Sequence, residues 1–159
     1  MKRDSNGYKL DKNGNKIWRN SAGQLRRTDG PAIEDANGTK YWYIHNQLHR
    51  TDGPAIEWAN GDKHWYTKGQ RHRTDGPAIE YADGTKEWYI NGQRHRLNGP
   101  AIEYADGTKE WWFNDQPHRI DGPAVEWADG TKQWWFKGKE ISEKEFNSKE
   151  FQVKIVMEL

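Results

Sequence analysis

Cysteine is absent from this chain, which excludes disulfides and thiolate metal sites. Long apolar runs are missing as well. No stretch approaches the roughly 18 apolar residues of a membrane span. The segment from Met1 to Ser5 leads into no apolar run and is not expected to act as a secretory signal. A reducing cytoplasm is the expected compartment. Net charge is nearly nil, with 25 Lys and Arg against 24 Asp and Glu. That balance gives no electrostatic footprint for nucleic acid or an anionic membrane. Aliphatic side chains are scarce: only 33% of residues are hydrophobic, and the mean hydropathy is −1.27. Yet there are ten tryptophans and seven tyrosines. Disordered chains are poor in aromatics, so this composition predicts a folded, thin sheet with a largely aromatic core.

What the chain has in abundance is repetition. Gly-Pro-Ala recurs at Gly30, Gly53, Gly76, Gly99 and Gly122, each 23 residues after the last. Trp42, Trp65, Trp88, Trp111 and Trp134 keep the same step, as do Glu34, Glu57, Glu80, Glu103 and Glu126. A fixed period in this range marks stacked repeats, each burying its apolar face against its neighbours. The predicted organisation is one repeat domain over 1–159. It comprises a divergent N-terminal capping repeat (1–26), five 23-residue repeats (27–138) and a C-terminal cap (139–159).

Within one repeat, Asp83-Gly84 is a hairpin signal, read here as a two-residue turn. The arms Pro77 to Ala82 and Thr85 to Ile90 are short and rich in β-branched and aromatic residues, as strands are. A second turn, Asn91-Gly92-Gln93, ends the second arm. A two-residue loop sets Ile79 opposite Trp88 and Tyr81 opposite Lys86. The face holding Ile79, Tyr81, Trp88 and Ile90 is then the core, centred on the row Trp42, Trp65, Trp88, Trp111 and Trp134. The fold class expected is all-β: an elongated, twisted stack of antiparallel β-hairpins, with equivalent residues roughly 10 Å apart. At the C-terminal end, Ser142 and Glu145 form a capping box that predicts a short helix through Phe146. Phe151, Val153, Ile155, Met157 and Leu159 are apolar anchors beyond it, on either a helix or a final strand.

The unit resembles the MORN repeat over about residues 13–138. Tyr81-Ala82-Asp83-Gly84-Thr85 and Asn91-Gly92-Gln93-Arg94-His95 carry the resemblance, with Lys86-Glu87 standing where that family has glycine. The His-Arg-x-Asp-Gly-Pro-Ala variant is similar to repeat proteins of bacterial viruses and of some bacterial antitoxin families. The resemblance implies a non-enzymatic scaffold that binds proteins or phospholipids.

His49, His72, His95 and His118 also recur at period 23, but rows about 10 Å apart cannot converge to the roughly 2 Å of metal ligation. No metal or cofactor is expected. Their neighbours Arg50, Arg73, Arg96 and Arg119 are expected to pair with a carboxylate or lie over a ring, and the following Asp or Asn to bond the turn backbone. The Glu row offers no asymmetry between acid and base, so no catalytic residue is assigned. Candidate binding residues are the row Tyr43, Tyr66, Tyr89, Trp112 and Trp135, placed by the expected register on an exposed second face. Further candidates are Arg71, Arg94, Lys68 and His64, in columns that change from copy to copy. The function expected is non-catalytic binding of another protein, such as a virus-encoded inhibitor of a host factor or an antitoxin-like neutraliser. The alternative is a small-ligand binder for phospholipid headgroups, glycans or nucleotides.

Overall fold

The structure, a computed structural model, describes residues 7–157. Those residues form 21 short strands in antiparallel sheets and two helices, α1 (Glu143–Phe146) and α2 (Lys149–Met157). They divide into two compact units: residues 7–82 with Ile90–Gly92, and Asp83–Tyr89 with residues 93–157. In the first unit the sheet runs Lys9–Leu10, Lys16–Ile17, Ile33–Glu34, Lys40–Tyr41, Ile56–Glu57, Lys63–His64, Ile79–Glu80. In the second it runs Lys86–Glu87, Ile102–Glu103, Lys109–Glu110, Val125–Glu126, Lys132–Phe136, Lys139–Ile141. The leucine anchor expected at position 159 lies outside the described residues.

Each repeat builds two hairpins rather than one, and their turns differ. In the first, the Asp35 N–H donates to the Thr39 carbonyl and the Gly38 N–H to the Asp35 carbonyl, both at 2.9 Å. Gly38 sits at φ 96, and the Asn37 side chain accepts from the Thr39 N–H at 2.9 Å. This is a three-residue loop, a turn closed by a glycine bulge. It recurs with Gly61, Gly107 and Gly130. The expected two-residue loop would require positive φ at Asn37, Asn60, Asp83, Asp106 and Asp129, and none of them has it. An odd loop shifts the register by one and exchanges the faces. Ile102 therefore lies opposite Glu110, Glu103 opposite Lys109, and Ile56 opposite His64. The two-residue type I′ turns belong to the second hairpins, at His45-Asn46, Lys68-Gly69, Asn91-Gly92, Asn114-Asp115 and Lys137-Gly138, where both residues have positive φ.

The corrected register moves the core. Ala32, Ala55, Ala78, Ala101 and Ala124 are wholly buried, beside Ile56, Ile79, Ile102 and Val125. The tryptophans expected at the centre of the core are only half-buried. They share their face with the Glu row and with Lys40, Lys63, Lys109 and Lys132, which stand directly across from it.

The first copy repeats the design with one change. Asp11 to Asn15 closes the first hairpin as above, while Asn20 to Gln24 gives the second a three-residue loop. The extra residue here replaces the type I′ turn of later copies. At the other end Ser142 caps α1, its hydroxyl accepting from the Glu145 N–H at 3.1 Å, and Phe136, Ile141, Phe146, Phe151 and Ile155 form a small core. The tail is a helix. Helical spacing buries Phe151 and Ile155, four apart, and leaves Val153 and Met157 exposed, whereas a strand would have buried all four.

Ile79→Ala should therefore cost roughly 2–5 kcal/mol in chemical denaturation. Val153→Ala should stay within about 0.5 kcal/mol of the parent.

Candidate functional site

The face that carries the tryptophans is organised by arginine. The Arg73 guanidinium lies 4.0 Å above the Trp65 ring. Its Nε donates to Asp75 at 2.9 Å, and its Nη1 donates to the Pro77 carbonyl at 3.1 Å and to Glu80 at 2.9 Å. Arg50 over Trp42 and Arg119 over Trp111 make the same set. The aspartate expected to bond the turn backbone binds this guanidinium first and a backbone N–H besides, which together hold Asp29, Asp52 and Asp75 below the usual carboxylate range. Glycine follows for lack of space: a Cβ on Gly76 would fall 2.9 Å from Arg73 Cζ. In the fourth copy Asn98 replaces the aspartate. Arg96 still holds the Pro100 carbonyl at 2.9 Å and Glu103 at 2.7 Å, and Gly99 takes φ 137.

The histidines join successive second hairpins. His49 Nδ1 accepts from the Lys68 N–H, and His72 Nδ1 from the Asn91 N–H, both at 3.1 Å. His118 Nδ1 accepts from the Lys137 N–H at 3.0 Å. The next N–H of each type I′ turn donates to a carbonyl of the preceding hairpin, as Gly69 does to Leu48 at 2.9 Å and Gly138 to Pro117 at 3.0 Å. In the fourth copy His95 Nδ1 lies 2.7 Å from the Asn114 side-chain oxygen instead. No group of three or more metal-ligating side chains occurs among the described residues. These interactions account for the Arg, Asp, Gly and His of the repeat without any ligand.

The opposite face carries the variation, and the candidate residues divide on it. Tyr43, Tyr66, Trp112 and Trp135 are half-buried, but Tyr89, expected to be exposed, is buried. Its hydroxyl donates to Glu87 at 2.8 Å. The one-residue register shift is the cause, since it turns this row toward the isoleucines. His64 is buried between Trp58 and Tyr81, at ring-centroid distances of 6.0 Å from each. Lys68 is exposed, though its backbone is committed to a type I′ turn. Arg71 is half-buried. Arg94 is half-buried too, 4.4 Å above the Trp112 ring and 3.7 Å from Asp115. The rings exposed on this face are Trp58, Tyr104 and Trp127, at 40%, 38% and 44% exposure, none of them among the candidate binding residues. Each stands just before the first turn, in a column that reads Asp35, Trp58, Tyr81, Tyr104, Trp127. That copy-to-copy change was the signal available in the sequence.

Open cavities lie elsewhere. One of about 630 Å³ runs along the connectors between Thr51 and Thr74, and one of about 500 Å³ adjoins Phe136 and α2. No helix among the described residues is long and apolar enough to cross a membrane. No family model and no curated protein matches the chain. What the chain shows is the architecture itself, paired antiparallel hairpins repeated about every 23 residues.

Arg73→Lys keeps the charge but cannot keep the fork or the stacking, and hydrogen bonds to charged groups are worth roughly 1.5–3 kcal/mol each. It should cost about 2 kcal/mol or more by denaturant titration, and Gly76→Ala should also destabilise. A loss-free Arg73→Lys would show the guanidinium to be incidental.

Burial and the nearby Lys137 ammonium hold the His118 imidazole below its ordinary value of 6.5. The unfolded chain then binds the proton more readily than the folded one, so stability is full above pH 6.5 and falls as pH drops below it. Thermal melts at about pH 7.5 and about pH 5 should differ less in His118→Asn, which keeps an acceptor but cannot titrate.

Proposed function

We propose that this chain is a non-catalytic, MORN-like repeat scaffold that binds another protein in a reducing cytoplasm. Inhibition of a host factor by a viral protein and neutralisation of a toxin are the roles this suits best. One observation carries the reading. The architecture is satisfied on the arginine–tryptophan face, yet the other face presents Trp58, Tyr104 and Trp127 outward, in a column whose residues the repeat does not fix. Large, exposed aromatic rings supply most of the binding energy at protein interfaces. The flanking columns, Tyr41 to Gln133 and Leu48 to Pro117, change in size and charge from copy to copy, as surfaces that read one particular partner do.

The test is an affinity capture with the full chain, followed by gel filtration of the retained complex and titration of the purified partner. Trp127→Ala should weaken that complex by roughly 2 kcal/mol while leaving the melting temperature nearly unchanged. Retention of a glycan, nucleotide or phospholipid in place of a protein would transfer the reading to the small-ligand class. Undiminished affinity in Trp58→Ala, Tyr104→Ala and Trp127→Ala alike would move the interface off this face.

A further inference from the structure

The residues of the variable face differ between the two units, and in the second a carboxylate stands among exposed rings. In the first unit the rings of Tyr41, Trp58, His64 and Tyr81 contact one another edge to face, at centroid distances of 5.9, 6.0 and 6.0 Å. His64 fills the space between Trp58 and Tyr81. Two copies on, the same three positions are held by Glu110, Tyr104 and Trp127. A carboxylate therefore stands where the first unit has a ring. Glu110 Oε1 accepts from the Tyr104 hydroxyl at 3.1 Å, and Oε2 accepts from the Trp112 indole N–H at 2.7 Å. Both donors are neutral, so they fix the carboxylate in place without cancelling its charge. Among the described residues no cation lies within ion-pair distance of Glu110. Tyr104 and Trp127, which hold the positions of the two rings that flank His64 in the first unit, are both exposed.

We infer that Tyr104, Glu110, Trp112 and Trp127 form a slot that receives a cationic side chain, arginine or lysine, from the protein partner. The inference rests on the protein-binding reading above and specifies what that partner presents. A guanidinium or ammonium laid between two electron-rich ring faces gains cation–π attraction, and it meets a fixed carboxylate beneath. The chain already shows the chemistry: Arg94 lies over Trp112 and faces Asp115. Arg94, the cation nearest by, is shared with Asp115. Tyr104 registers the local field. Its phenol is pushed up to about 12, by burial first and then by the charges of Glu110 and Glu87, with Arg94 opposing. A neutral or acidic partner would leave Glu110 desolvated beneath the interface without a counter-charge, which is costly.

The probes are an arginine pentapeptide and its citrulline counterpart, which has nearly the same shape but no charge, titrated calorimetrically against the full chain. The arginine peptide should bind at least tenfold more tightly. Glu110→Gln, which preserves size, and Trp127→Ala should each weaken it at least tenfold, with melts confirming the fold. Glu143→Gln, on α1, should change nothing. Equal binding of the two peptides, no binding of the arginine peptide at millimolar concentration, or equal losses from Glu143→Gln and Glu110→Gln would each overturn the slot. A chitin hexasaccharide bound equally by the parent and by Glu110→Gln, but lost in Trp127→Ala, would overturn it in favour of a glycan platform. A purified protein partner that binds Glu110→Gln undiminished overturns the slot and leaves the protein-binding reading standing. Tight arginine-peptide binding with no protein ever retained supports the slot and overturns that reading.

Discussion

The guanidinium laid on a tryptophan ring is the interaction on which this fold depends. A sheet built from two-residue strands has too few ladder hydrogen bonds to hold its own connectors in place. Each connector must reverse through Gly-Pro and re-enter the sheet at a buried alanine. Arg73 fastens that passage by holding Asp75, the Pro77 carbonyl and Glu80 from one planar group while covering Trp65. Glycine is required because the group passes so close to the backbone, and aspartate because Nε needs a carboxylate two residues on. Where Asn98 removes that carboxylate, the glycine backbone takes up an unusual angle while the other contacts persist. Half-buried, neutralised charges of this kind stabilise the sheet with little aliphatic core, which accounts for so polar a composition.

The periodicity, the hairpin content and the helical cap were legible in the sequence, because repetition and a Ser-x-x-Glu box reflect local physics. The register was not. Asn-Gly and Asp-Gly serve both a two-residue type I′ turn and a three-residue loop closed by a glycine bulge, and the residues alone do not separate them. Asp83 and its equivalents spend their side chains on the backbone N–H two residues ahead, which favours the longer loop. That one residue exchanged the faces of the second arm, so Tyr89 was expected outside and lies inside, while Trp88, expected at the centre of the core, is only half-buried. The roles of Arg and His were foreseeable in kind but not in partner, since both reach groups in a neighbouring loop or copy.

The two faces divide the work. One is written almost identically in every copy, because the same guanidinium, ring and glutamate must meet each time. The other is relieved of that duty and accumulates differences: a ladder of rings in the first unit, and rings around carboxylates in the second. Function is therefore best sought where the repeat fails to repeat, and Glu110, Gln133 and Trp127 are informative because their equivalents are His, Tyr and Asp.

The extra residue in the loop from Asn20 to Gln24 has a meaning for how the chain finds its own fold. Copies so alike can pair one repeat out of step, because a shift by a whole period restores every strand contact and every arginine site in the middle of the chain. Such a misthreaded form is a trap of nearly native energy. Only features that occur once can tell the two apart. The longer second loop of the first copy lacks the type I′ turn of the later copies, and the helices after Ser142 pack on Phe136 and Ile141. These two irregular features, with the columns that vary, are what distinguishes one setting of the similar copies from another.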